Sequence, residues 1–127
     1  MISVKLTFAQ VETLWAAINY RLHAMQRMEL NSATEYLLYL ICKELHAIIK
    51  KLNDKQHKPN TGKTLSLTQV QATGFAMLYL NRPIPGNELA LVTINEIIDE
   101  VKQAQLQDAV MNSRDPLLTN GNNFLLQ

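Results

Sequence analysis

The chain has 127 residues, with 12 Lys and Arg against 11 Asp and Glu, which gives a net charge of +1. This length corresponds to one ordinary domain, and the near-neutral charge excludes an overall field that would attract nucleic acid or an anionic membrane. Apolar residues make up 47% and aromatic residues 6%, which excludes disorder over the whole chain and disfavours an all-β sandwich. The single cysteine excludes an internal disulfide framework and a cysteine-based zinc site.

The first half of the chain predicts two antiparallel helices, near 8–29 and 33–53. In both stretches apolar residues recur three and four positions apart, which is the spacing of one helix face. A short connection joins the two stretches, so we expect a helical hairpin. Each stretch follows a capping signature, a hydroxyl residue with Gln or Glu three positions later: Thr7 with Gln10, and Ser32 with Glu35.

The second predicted helix carries more apolar surface than one antiparallel neighbour covers. Residues 36–42 form the longest apolar run of the chain, about a third of the roughly 20 residues that a membrane-spanning helix requires. Cys42 ends this run, which indicates a buried small hydrophobic residue rather than a reactive thiol. We expect the uncovered part of this helix to bind another protein chain, through the candidate interface residues Tyr36, Leu37, Tyr39 and Leu40.

The second half predicts two more helices, near 69–81 and 88–110. Thr68 with Gln71 repeats the capping signature, and Pro83 follows the third helix, where proline cannot continue the backbone ladder. The sequence therefore predicts an all-α fold, a four-helix bundle built from two antiparallel helical hairpins.

A weak internal repeat links the two halves. Residues 4–10 and 65–71 both read apolar, polar, Leu, Thr, two further residues and Gln. Each opening alternates apolar and polar residues, which suits a short β-strand before the first and third helices. The repeat indicates either two strand–helix–helix halves or chance agreement in a common capping signature. We assign residues 1–111 to one helical domain with a basic linker at 54–67.

The Asn- and Gly-rich tail at 112–127 differs in composition from the rest of the chain. Asn120 and Gly121 are typical of a tight hairpin turn, and apolar residues flank them on both sides. Phe124 and Leu125 join the candidate interface residues. The sequence leaves open whether this tail docks on its own domain, docks on a neighbouring copy, or is a loosely held terminus.

Basic residues are concentrated at the end of the second helix and in the linker. Up to residue 63 the chain has nine Lys and Arg against five Asp and Glu, so a local patch could contact phosphates. Residues 57–64 end in the Gly-Lys-Thr of a phosphate-binding loop, but His57 replaces the first glycine and a helix precedes them, so we predict no nucleotide site. The candidate basic patch consists of Lys50, Lys51, Lys55, Lys58 and Lys63.

No catalytic or metal-binding motif stands out. The histidines are His23, His46 and His57, and none has the spacing of a metal-ligating pair. No nucleophile has a recognisable base, so we predict no catalytic residue, no cofactor and no metal site.

We therefore expect a small non-catalytic helical protein–protein interaction module, cytoplasmic and not membrane-bound, that self-associates as a homodimer. One alternative is an accessory nucleic-acid-binding protein that uses the basic patch at 50–63. A second alternative is a small-ligand carrier or enzyme with a site beside Gly74 and Met77, which would require an apolar pocket of roughly 300 Å³ or more.

Overall fold

The computed structural model describes residues 1–55, 62–79 and 88–112, with side chains described as far as residue 110. Within these ranges the protein is mostly helical and contains a small antiparallel sheet of two strands. The elements follow each other in the order β1 (Ile2–Leu6), α1 (Phe8–Gln26), α2 (Ala33–Asp54), β2 (Lys63–Leu67), α3 (Gln69–Tyr79) and α4 (Glu88–Asn112).

The four predicted helices are present, and their bounds differ from the expectation by a few residues. Helix α1 ends at Gln26 because the next two amides turn back onto carbonyls three residues earlier: Arg27 donates to Ala24 at 3.2 Å and Met28 to Met25 at 3.2 Å. Strand β2 occupies the last five residues of the predicted linker 54–67. The two short strands that the sequence left open are both formed, and they pair with each other.

The sheet relates the two halves of the chain by a local two-fold axis. Val4 lies opposite Leu65 at the centre of the pairing, and the pair of Ile2 with Leu67 corresponds to the pair of Leu6 with Lys63 at the other end. Rotation about the central pair therefore exchanges β1 with β2. The order strand, helix, helix follows on both sides of this axis.

Both halves use the same cap where the strand passes into the helix. The Thr7 hydroxyl accepts from the Gln10 amide at 3.2 Å, and the Gln10 side chain accepts from the Thr7 amide at 2.9 Å. The corresponding distances for Thr68 and Gln71 are 3.2 and 3.0 Å. Each cap satisfies two backbone N–H groups that a helix start leaves without partners. The sequence repeat at these positions thus corresponds to a repeat in structure.

The core lies between the inner face of the sheet and the four helices. Alternate residues of the strands point inward, namely Val4, Leu6, Leu65 and Leu67. Helix α3 approaches α2 closely at Gly74, since a Cβ atom there would lie 2.4 Å from Cγ2 of Ile41. Only glycine permits this approach without displacing Ile41. None of the described helices is long and apolar enough to cross a bilayer.

Candidate functional site

An apolar groove runs between α2 and α3, above the close approach at Gly74. We call it the α2–α3 groove, and its volume is about 340 Å³. Two large apolar side chains at its walls are exposed to solvent: Leu37 is 54% exposed, and Val70 is 64% exposed. Its lining includes Leu37, Leu38 and Ile41 from α2 and Val70, Gly74 and Met77 from α3.

One of the predicted interface residues on α2 lies at this groove. Leu37 lines it, and Tyr36 and Leu40 are exposed on the same segment of the helix. Tyr39 is half-buried, with its ring centroid 6.3 Å from that of Tyr36 and 5.7 Å from the ammonium of Lys43. The structure therefore brings Leu37 to the groove and Tyr39 to Tyr36, and it does not bring all four residues into one patch. Phe124 and Leu125, the other two predicted contacts, lie outside the described residues.

Helix α2 exposes these residues because its buried stripe covers only part of its circumference. Leu38, Ile41, Cys42, Leu45 and Ile49 face the core at helical spacing. Sequence reasoning identified the excess apolar surface of α2. For α3 it named a site beside Gly74 and Met77 as an alternative, and both residues line the groove, but it did not identify the exposure of Val70.

The basic patch loses one of its predicted members, Lys63, to the protein interior. Only 4% of this side chain is exposed, its ammonium donates to the backbone carbonyl of Leu52, and it lies 5.2 Å from the ring centroid of Phe8. The prediction that Lys63 belongs to a solvent-facing patch is wrong because strand alternation directs it inward with Leu65 and Leu67. Burial lowers the pKa of its ammonium below the ordinary 10.5.

Two of the remaining basic residues, Lys51 and Lys55, line a cleft between α2 and β2. Lys50, Lys51 and Lys55 are exposed, whereas Lys58 lies outside the described residues. We call the space beside them the basic cleft. Its volume is about 500 Å³, and its lining includes Lys51, Asp54 and Lys55 of α2 with Thr64, Leu65 and Ser66 of β2. A nucleic-acid contact would thus depend on three described lysines with a carboxylate among them.

A second cleft of similar size lies beside the other strand, and we call it the acidic cleft. Its volume is about 550 Å³, and its lining includes Ser3, Val4 and Lys5 of β1 with Glu96, Asp99 and Glu100 of α4. The carboxylate of Glu96 accepts a hydrogen bond of 3.0 Å from the side-chain amide of Gln10. Since the local two-fold axis exchanges the strands 64–66 and 3–5, the two clefts occupy equivalent places and carry opposite charge.

His46 of α2 packs against two residues of α1. His46 shares a hydrogen bond of 3.0 Å with Asn19 and lies against Trp15 with the ring centroids 4.6 Å apart. Burial first, and then the nearby charges of His23 and Lys50, lower the pKa of His46 below 6.5. Within the described ranges no group of three or more His, Cys, Asp or Glu side chains could hold a metal ion. His57 lies outside those ranges.

Cys42 is fully buried, and burial raises the pKa of its thiol to about 11, partly opposed by Arg21. A protonated, inaccessible thiol is a poor nucleophile and a poor metal ligand. The chemically notable features of the described surface are therefore the apolar groove and the two charged clefts.

Comparison of the chain with protein-family models, with curated proteins and with solved structures finds no match.

Proposed function

We propose that this protein is a non-catalytic helical interaction module that self-associates through the apolar surface around the α2–α3 groove. The observation that carries the proposal is the grouping of exposed Leu37, Val70 and Met77 around one groove between two adjacent helices, with Tyr36 and Leu40 exposed on the same segment of α2. Isolated exposed apolar residues are normal, but a contiguous patch typically marks an interaction site. Tyr and Met are also enriched at protein interfaces.

The surface also has the form of a binding site rather than of a flat patch. The groove between Leu37 and Val70 can receive side chains, and exposed Tyr36 on the same helix segment has an apolar body and a polar tip that stays hydrated. Burial of such a surface contributes about 25 cal/mol per Å² of apolar area, and this gain must exceed the cost of association. In a symmetric dimer each residue contributes twice, which favours a self-complementary apolar patch.

The packing of the helices supports a four-helix bundle beneath this surface. Helix α1 contacts α2 and α4, and α3 contacts the same two helices. A closed ring of four helix–helix contacts is the arrangement of two hairpins packed together. The sheet then lies at one side of the bundle, where β1 contacts α4 and β2 contacts α2.

Sedimentation equilibrium of the wild type and of Leu37→Asp at high salt tests the proposal. We expect the wild type to show twice the monomer mass of 14.4 kDa at high micromolar concentration. We expect Leu37→Asp to be a monomer, because association would remove its carboxylate from water without giving it a partner. The matched control is Leu106→Asp. Leu106 of α4 is 49% exposed. Asp108 faces α3, because its carboxylate accepts a hydrogen bond of 3.0 Å from the side chain of Gln69. Leu106 lies about 200° away from Asp108 around α4 and therefore points away from α3. A wild type that stays at 14.4 kDa refutes self-association.

The α2–α3 groove favours a second candidate function, the binding of a small apolar ligand. Its volume of about 340 Å³ exceeds the roughly 300 Å³ that a small-ligand site requires, and its lining includes both Gly74 and Met77. Titration with an environment-sensitive apolar dye distinguishes the two. Saturable dye binding that Met77→Asp abolishes, in a protein that remains monomeric, supports a carrier. Dye binding that decreases as the protein self-associates supports the interaction module.

A further inference from the structure

We propose that copies of this chain also associate head to tail, with the β1 edge and acidic cleft of one copy against the β2 edge and basic cleft of the next. The occupant of each cleft is thus a second copy of the same chain. This contact is separate from the apolar surface proposed above and does not depend on it.

The first argument is the pair of strand edges. Strands β1 and β2 pair with each other, and within the described ranges no other backbone hydrogen bond reaches either of them. Among the residues that the structure describes, each strand therefore has one outer edge whose N–H and C=O groups are not paired with another strand. Such an edge is a template for a strand of another chain, which gains main-chain hydrogen bonds there.

The second argument is the charge beside each edge. Next to β1, Glu96, Asp99 and Glu100 outnumber Lys5. Next to β2, Lys51 and Lys55 outnumber Asp54. Since each cleft is open and has about 500 to 550 Å³ of space, the side chains of an incoming edge can enter.

The orientation follows from the two-fold relation between the clefts. The clefts lie beside different strands of one sheet, so the acidic cleft of a copy cannot contact the basic cleft of the same copy. If two copies met β1 to β1, carboxylates would face carboxylates, and if they met β2 to β2, ammonium groups would face each other. Like charges across an interface cost several kcal/mol. Only the pairing of β1 with β2 places carboxylates opposite ammonium groups. A contact between two different surfaces repeats into open chains rather than closing as a dimer.

Charge reversal in a Leu37→Asp background tests this contact independently of the apolar surface. One variant adds Lys51→Glu and Lys55→Glu, so that both clefts are acidic, and the other adds Asp99→Lys and Glu100→Lys, so that both are basic. We expect the background protein to associate beyond a dimer at about 10 mM salt and to dissociate at about 1 M, because the Debye length falls from about 30 to 3 Å. Each reversal alone should weaken association by at least about tenfold.

The equimolar mixture of the two reversed variants is the decisive sample. We expect it to recover association at low salt, and we expect hydrogen exchange of the β1 and β2 amides to slow in the mixture. Glu29→Lys with Glu44→Lys is the matched control, because both residues are exposed outside the clefts and the change in net charge equals that of the basic variant. Circular dichroism verifies that all variants fold.

Three outcomes overturn the head-to-tail contact: no association of the background protein at low salt, equal loss in the control, or a mixture that stays monomeric. None of these bears on the apolar surface, whose own test is the wild type against Leu37→Asp at high salt. Failure of one proposal is therefore distinguishable from failure of the other.

Discussion

Replacement of Gly74 by alanine probes the contact on which the α2–α3 groove depends. The added Cβ would lie 2.4 Å from Cγ2, 2.9 Å from Cδ1 and 3.3 Å from Cβ of Ile41, whereas carbon atoms in contact prefer about 3.5–4.0 Å. Ile41 cannot easily turn away, because it is buried and a β-branched side chain in a helix has one strongly preferred rotamer. Overpacking of this kind costs about 1–3 kcal/mol.

Two effects of opposite sign therefore compete in Gly74→Ala. Alanine gains about 1 kcal/mol over glycine in a helix interior, and the clash costs more than this at its midpoint. We expect a net loss of about 1 kcal/mol in the free energy of unfolding, which lowers the Tm by about 4 °C in a chain of 127 residues. Urea denaturation followed by circular dichroism measures the change.

A double-mutant cycle with Ile41→Leu separates the clash from the helix propensity. Leucine carries no Cγ2 atom, so the closest contact disappears while the side-chain volume is kept. In the Ile41→Leu background we expect Gly74→Ala to be neutral or stabilising, with a coupling energy of about 1 kcal/mol or more. The reasoning is refuted if Gly74→Ala alone stabilises the protein by about 1 kcal/mol, or if the two changes are additive.

Three further predictions concern buried ionisable groups. Lys63→Met should lower the free energy of unfolding in urea titrations by about 1.5–3 kcal/mol, because the Leu52 carbonyl loses a charged donor; an unchanged value contradicts the buried role of the ammonium. The thiol of Cys42 titrates at about 11 in the fold against 9.0 ordinarily, so its contribution to stability is present below pH 9.0 and is lost as the pH rises towards 11. Cys42→Ala should lose this part of the alkaline decline, and equal slopes for both proteins would exclude it. The lowered pKa of His46 means that the unfolded chain binds the proton first as the pH falls below 6.5, so stability decreases on acidification. An NMR titration of His46 with a midpoint at or above 6.5 would contradict this.

The helices were predictable because their signals are local. Spacings of three and four, together with the caps at Thr7, Ser32 and Thr68, are legible within a few residues of each helix start. The strands are each five residues long, and their pairing joins residues 57 to 65 positions apart, so the sequence could indicate the strands but could not fix their register. The repeat at 4–10 and 65–71 indicated two strand–helix–helix halves, but it did not give the axis that relates them.

The candidate sites show the same contrast. The excess apolar surface of α2 is visible in a run of seven residues, whereas the exposure of Val70 depends on how closely α3 approaches α2 at Gly74. Lys63 was assigned to the surface from its charge and its neighbours. Its alternation with Leu65 and Leu67 was the available signal that it belongs to an inward-facing strand position. The clefts beside β1 and β2 required the sheet to be known first.

The division of the sheet between the two halves makes each half incomplete without the other. Residues 1–55 supply one strand and residues 62–112 supply its only described partner, so neither piece alone can form a hydrogen-bonded ladder. An isolated strand of this length has no stability of its own. The two halves of the chain therefore complement each other as two fragments would, and the covalent chain keeps them together.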